Sequence, residues 1–289
     1  MPLLTLGADA TAGGVRLRSL LFVPGDRPER FAKAAASGAD AVILDLEDSV
    51  VPSAKPAARE AVALAVGEGL GVTVLVRVNP LGSPEHALDL AALAGLAPAG
   101  VLLPKAEGSD DVARLHDSLA APVLPIATET PRGVFALGEY GRVADRMLAL
   151  TWGAEDLPAA IGASASRDDT GALLPPYQMV RSLALFAAHA AGVAAIETVF
   201  PVLDDADGLA RVVAEASRDG FTGMMAIHPR QVATINAGLT PSEAELARAR
   251  AIVAAFAAEP GAGALRLDGR MIDRPHLVQA ERVLARDGV

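Results

Sequence analysis

Eight short apolar runs, separated by stretches that carry helix signals, constrain this chain more than any other feature. They are Ser19–Pro24, Ala41–Leu46, Val72–Val78, Gly100–Lys105, Val123–Thr128, Met147–Gly153, Ala194–Phe200 and Gly223–Pro229. Most are rich in Val, Ile and Leu and apolar on both faces, as strands of a parallel sheet covered by helices should be. Between them, Pro28-Glu-Arg-Phe opens one helix and Ser53 to Glu68 makes a second. Ser109-Asp-Asp starts a third, with an N-cap and an acidic first turn. This alternation predicts an α/β fold, a (β/α)8 TIM barrel. A doubly wound sheet is the alternative, but no glycine-rich dinucleotide fingerprint follows the first run.

The eighth run is followed by a helix over Ser242–Ala258, a Gly/Pro break from Pro260 to Gly263, and a last helix. The reading is a loose tail over 1–15, a barrel over 16–258 and a C-terminal helical extension over 259–289. The connection from Ala154 to about Pro176 is long and rich in Gly, Ser and Asp, and long loops in compact domains are often functional.

Composition removes several classes of function. There is no cysteine, which excludes disulfides, thiolate metal sites and cysteine nucleophiles. A net charge of −10 argues against general nucleic-acid binding. No apolar run is long enough to span a bilayer, and Met1 to Gly14 lack the basic start and apolar stretch of an export signal. A cytoplasmic protein that binds no membrane is expected.

In a (β/α)8 barrel the chemistry is built at the C-terminal ends of the strands. Those ends carry Asp26 and Arg27, then Asp45, Glu47 and Asp48, then Arg77 and Asn79, Lys105, Glu129, Glu155 and Asp156, Glu197 and His228. Parallel neighbours lie roughly 5 Å apart, so Glu129 and Asp156 converge if the fifth and sixth runs are adjacent. Paired carboxylates there suit a hard divalent cation, above all Mg2+, although both residues can equally cap the helices that follow. Mg2+ on Glu129 and Asp156 suits a 2-oxo acid chelated through its keto oxygen and carboxylate, and polarising that carbonyl assists making or breaking an adjacent carbon–carbon bond.

Arg77, inside Val-Leu-Val-Arg-Val, needs an anionic partner and can hold a carboxylate in a two-pronged fork. Glu47 and Asp48 can accept hydrogen bonds from water around the cation. The amides of Gly153, Ala154 and Glu155 can bind a substrate carboxylate. His228 reads as a structural strand-end residue. A Schiff base on Lys105 is disfavoured, because Glu107 nearby favours the charged ammonium.

The order of motifs then resembles a known family. Arg18-Ser-Leu-Leu-Phe-Val-Pro-Gly-Asp-Arg-Pro-Glu-Arg-Phe and Gly38-Ala-Asp-Ala-Val-Ile-Leu-Asp-Leu-Glu-Asp-Ser-Val are similar to the citrate lyase beta subunit and its CoA-ester lyase relatives, the HpcH/HpaI aldolase/citrate lyase family. Val76-Arg-Val-Asn, Leu103-Pro-Lys, Glu129-Thr-Pro, Gly153-Ala-Glu-Asp-Leu and Met271-Ile-Asp-Arg-Pro continue the likeness. The resemblance implies a carbon–carbon lyase using Mg2+ held by Glu129 and Asp156, with Arg77 on the keto-acid carboxylate. It implies contacts of Phe22, Arg27 and Lys33 with CoA. It also implies an acid–base role for Asp273 on a C-terminal lid, which in relatives packs over a neighbouring subunit's barrel, so a homo-oligomer, a trimer or a multiple of one, is expected.

The expected substrate is a citryl-type thioester, on CoA or on an acyl carrier protein, split into oxaloacetate and an acetyl thioester. Malyl-CoA, methylmalyl-CoA or citramalyl-CoA is the alternative. A docking subunit of a multi-subunit lyase, weakly active alone, is the reading from another class.

Overall fold

Successive side chains of the first barrel strand divide between two cores. In β1 (Ser19–Pro24), Leu20 and Phe22 join the cluster inside the barrel, while Leu21 and Val23 join the cluster between barrel and helices. The same period of two sends Ile43 of β2 (Ala41–Asp45), Leu75 of β3 (Thr73–Arg77), Leu102 of β4 (Gly100–Leu103) and Leu124 of β5 (Val123–Pro125) inward. The inner cluster is completed by Ala149 of β6 (Ala149–Thr151), Ala194 and Ile196 of β7 (Ala194–Glu197), and Met225 of β8 (Gly223–Ala226). With 3% aromatic residues overall, both cores are filled chiefly by Leu, Val, Ile and Ala.

The structure is a computed structural model and describes residues 11–12 and 15–287. Its eight parallel strands pair in the order β5-β4-β3-β2-β1-β8-β7-β6. The two ends of that order meet through isolated bridges, Val123 with Met147 and Ile126 with Thr151. Across this seam Leu148 N–H donates to Val123 O at 2.8 Å and Ala127 N–H to Thr151 O at 3.0 Å. The intervening donor in this register belongs to Pro125, which has no N–H, so the ladder is interrupted there. The chain thus forms a nearly closed (β/α)8 barrel. Its fifth and sixth strands are neighbours, as the convergence of Glu129 and Asp156 requires, though their regular parts are shorter than the apolar runs.

The outer layer is α1 (Phe31–Ala35), α2 (Lys55–Glu68), α3 (Pro84–Leu93), α4 (Ser109–Leu119), α5 (Pro131–Ala136), α6 (Asp156–Ile161), α7 (Pro175–Ala191), α8 (Ala206–Asp219) and α9 (Pro229–Leu239). The connection after β6 is therefore not one loop. It begins with a short helix that ends at Gly162, whose φ of +73° suits a residue without a side chain, and only then becomes irregular. Among the described residues no helix is long and apolar enough to cross a membrane.

Beyond the barrel, α10 (Glu243–Ala258) opens on a capping box between Ser242 and Glu245. The antiparallel strands β9 (Ala264–Leu267) and β10 (Arg270–Asp273) follow, turned by Asp268-Gly269 at φ +48° and +76°, and α11 (Arg274–Ala285) ends the extension. This Asp-Gly hairpin was not anticipated from the sequence. Ile252 and Phe256 of α10 form a separate apolar cluster with Ile272 and Ala280. The extension's packing thus begins at α10, before the break at Pro260. Of the tail expected over 1–15, residues 1–10, 13 and 14 lie outside the described residues, and Thr11–Ala12 pair with Val15–Arg16.

Candidate active site

A cavity of about 310 Å3 opens at the C-terminal ends of the strands. Phe22, Asp45, Arg77, Glu129, Gly153, Ala154, Glu155 and Asp156 line it together with Asp48 and Ser49, and Thr198, Val199, Met225 and Ile227 supply a less polar wall. Residues as far apart in sequence as Phe22 and Ile227 meet here because they end a strand or begin the segment just after one.

At the base of the site, Asp45 and Arg77 end adjacent strands and stand opposite each other in register. Arg77 donates from Nε to Asp45 Oδ1 and from Nη2 to Asp45 Oδ2, both at 2.7 Å. Its Nη1 lies 2.9 Å from Glu47 Oε2, an ion contact outside hydrogen-bond geometry, and its carbon Cζ stands 4.8 Å over the Phe22 ring. The anionic partner that a buried arginine needs is thus within the chain. One edge of the fork expected for substrate is taken, since Asp45 occupies two of five N–H groups, and the rest of the guanidinium remains. Burial pushes the Asp45 carboxyl up, but Arg77, Ser49 and the Glu47 amide outweigh it and hold it below the usual carboxylate range.

Glu129 is 4% exposed, and its Oε2 accepts a 2.6 Å hydrogen bond from the Lys105 backbone N–H. Burial pushes its pKa up to about 8; the Lys105 amide opposes this and the charge of Asp156 adds to it. Asp156 begins α6. The Lys105 ammonium reaches Glu47 Oε1 at 2.8 Å, Asp156 Oδ1 at 3.3 Å and Asp48 Oδ2 at 3.9 Å. Burial disfavours that charge, yet the bond to Glu47 and the neighbouring carboxylates hold the ammonium well above the usual lysine range. That is the opposite of what a Schiff base needs.

The site tests well as a Mg2+ site. Glu129 is a buried oxygen donor with a like charge beside it, the situation a cation relieves. Among the described residues no three His, Cys, Asp or Glu side chains form a ready cage. Mg2+ does not require one, because it keeps several waters and takes one or two carboxylates. Glu47, expected to face water, is instead held between Arg77 and Lys105, while Asp48 is exposed.

Gly153 is fitted to this pair. A Cβ there would lie 2.8 Å from Glu129 Cγ and 3.2 Å from its Oε1. We expect Gly153→Ala to displace Glu129 and weaken Mg2+ binding at least tenfold while leaving the fold melting within a few degrees of wild type. Calorimetric titration beside thermal denaturation checks this, and unchanged affinity would show that Glu129 has room to spare. The Gly153 N–H is committed to Thr128 Oγ1 at 3.1 Å. Of the three amides expected for substrate, those of Ala154 and Glu155 stand at the start of α6, where N–H groups lack intrahelical acceptors.

Several expected residues fall elsewhere. Arg27 and Lys33 are exposed and do not line the cavity that Phe22 enters. Asn79 turns outward, bonding Asp89 Oδ2 and Leu46 O, and Lys55 anchors the same loop through Leu46 O at 2.6 Å, Glu47 O at 2.9 Å and Asn79 Oδ1 at 2.8 Å. Glu197 accepts from Trp152 Nε1 at 2.6 Å and Arg181 Nε at 2.7 Å, behind the site. His228 caps α9, as its structural reading requires. Asp273 caps α11, with Oδ1 2.5 Å from His276 Nδ1, and does not line its own chain's cavity. Lys55 was missed altogether, having no sequence signal beyond a lysine in a helix's first turn.

Residues 18–229 match the model of a family described as HpcH/HpaI aldolase/citrate lyase. The chain is 43% identical over 269 residues to a citrate lyase subunit beta-like protein of Mycobacterium tuberculosis, covering 93% of this chain and 94% of that one. It is 30% identical over 291 residues to a mitochondrial citramalyl-CoA lyase of Rattus norvegicus, covering 92% and 85%. Among solved structures, protein CitE from Mycobacterium tuberculosis in complex with magnesium, acetoacetate and coenzyme A superposes with a TM-score of 0.83 at 40% identity, over 96% of this chain and 99% of that one.

Proposed function

The chain belongs to the HpcH/HpaI aldolase/citrate lyase family, and from that premise we propose how its site works. It is a Mg2+-dependent carbon–carbon lyase. Its substrate is a citryl-CoA-type thioester, cleaved to oxaloacetate and an acetyl thioester, with malyl- and citramalyl-type thioesters as the alternative. The carrying observation is the meeting of buried Glu129 with Asp156 at the β5–β6 seam, 2.6 Å and 3.3 Å respectively from the amide and ammonium of Lys105.

Glu129 and Asp156 would hold Mg2+, which supplies Lewis-acid polarisation of a carbonyl when bound. The free part of the Arg77 guanidinium and the amides of Ala154 and Glu155 orient the keto-acid carboxylate. Glu47 and Asp45 keep Arg77 in place, and Asp48 remains available to ordered water. Phe22 packs under Arg77 and borders the thioester end. Exposed Arg27 and Lys33, on the segment after β1, suit the phosphates of CoA. In cleavage, the substrate's hydroxyl passes its proton to ordered water beside Asp48 and becomes the keto oxygen. The carbon–carbon bond breaks with its electron pair going to the acetyl α-carbon, and that carbon takes a proton from Asp273 of a neighbouring copy, which regains one from solvent. The 259–289 segment acts as the lid that brings it, so the working state is a homo-oligomer, and the setting is cytoplasmic.

Supplying citryl-CoA, malyl-CoA and citramalyl-CoA to the isolated chain, with Mg2+ and then with EDTA, tests this reading. Mg2+-dependent release of oxaloacetate, glyoxylate or pyruvate identifies the substrate. No cleavage of any of the three would favour the docking-subunit reading.

A further inference from the structure

Among the described residues, Lys105 is the one whose two ends meet both expected metal ligands. Its backbone N–H is 2.6 Å from Glu129 Oε2 and its ammonium is 3.3 Å from Asp156 Oδ1. The same ammonium is 2.8 Å from Glu47 Oε1 and 3.9 Å from Asp48 Oδ2. To achieve this the residue adopts φ +52°, a left-handed conformation that non-glycine residues seldom take. A glycine would adopt that backbone more easily and keep the N–H contact, but it would bring no ammonium. The side chain is thus retained at a conformational cost, and such strain is a pointer to function.

We propose that the Lys105 ammonium is a built-in counter-ion for this site: it neutralises the carboxylates of the metal-free chain and must give up Asp156 when Mg2+ binds. This rests on the reading of Glu129 and Asp156 as metal ligands. A +1 ammonium and a +2 ion cannot share one carboxylate oxygen without repulsion. At a separation of about 5 Å, that repulsion is worth roughly tenfold in affinity even at the dielectric constant of water. Lys105 therefore lowers Mg2+ affinity while stabilising the metal-free fold, which keeps the ion exchangeable. Glu47 and Asp48 give the displaced ammonium somewhere to go, since they contact it already and belong to the segment after β2.

The test uses the full chain in low salt, with Lys105→Met and Lys105→Gly removing the charge and Lys105→Arg keeping it. Lys105→Gly also removes any backbone strain, so the two neutral variants do not fail for the same reason. Calorimetric titration should show Mg2+ binding about tenfold tighter or more in both neutral variants, and within about threefold of wild type in Lys105→Arg. The rise in melting temperature on adding Mg2+ should be larger in Lys105→Met than in wild type. If neither neutral variant binds Mg2+ more tightly while wild type binds it, the counter-ion role is overturned. If wild type shows no Mg2+ binding, the metal reading itself fails, and that outcome is distinct.

Discussion

Glu129→Gln and Asp156→Asn will each abolish measurable Mg2+ binding and lower turnover by several orders of magnitude. Each change removes one of two oxygen donors, and the ion's polarising and templating roles are lost together. Glu129 carries the sharper signature because it is buried with its pKa pushed up to about 8. Without metal, the folded chain holds a proton there that the unfolded chain has already released, throughout the interval from the usual carboxylate pKa of about 4.3 to about 8. Folding stability from this group is therefore full at acid pH and lost as pH rises through about 8. Glu129→Gln lacks that loss, so the metal-free variant should melt increasingly above metal-free wild type between pH 5 and pH 8. Mg2+ must also displace the proton in wild type, so its apparent affinity should rise with pH up to about 8, with a buffer-dependent heat. A Glu129→Gln chain that binds Mg2+ as wild type does would remove Glu129 from the metal site.

The barrel was legible in the sequence because burial on both faces leaves a continuous apolar run, and eight such runs allow few arrangements. The convergence of Glu129 and Asp156 was legible because they follow consecutive strands, which meet at the seam of the barrel. Contacts set by register rather than by order were not. Asp45 was only one of several strand-end acids, yet it stands opposite Arg77 because both end adjacent strands. Counting back from the strand ends could have found that pair. Lys55 and Trp152 hold the segments around Glu47 and Gly153 through buried hydrogen bonds, which need side-chain positions that no pattern supplies. The positive φ of Lys105 was likewise invisible, because only glycine announces that conformation in a sequence. The seam at Pro125 did carry a signal, a missing N–H in a strand that must pair on both sides.

Asp273→Asn will lower turnover by at least about a hundredfold, the scale of a lost general acid or base, while leaving Mg2+ binding intact. If Glu129 and Asp156 hold Mg2+, their lone pairs are committed to the ion, and Glu129 also accepts from the Lys105 amide. Neither is then free to deliver the proton that the acetyl α-carbon needs. Asp273 lies on a hairpin and helix whose apolar contacts are with α10, and it is absent from its own cavity wall. On the same hairpin Met271 is 68% exposed, an apolar side chain available for covering by a second copy. A helix cap alone does not need the carboxylate, because Asn serves at that position about as well as Asp. Asp273→Asn thus keeps the cap and removes the acid, so an active variant would reduce Asp273 to its structural role. Sharing between copies makes a stronger demand. Asp273→Asn and Glu129→Gln chains, each inactive alone, should recover part of the activity when mixed and reassembled. Some sites would then combine an intact Glu129 from one chain with an intact Asp273 from another. Mass measurement must verify the mixed oligomers, and an absence of recovery in them would confine Asp273 to its own chain.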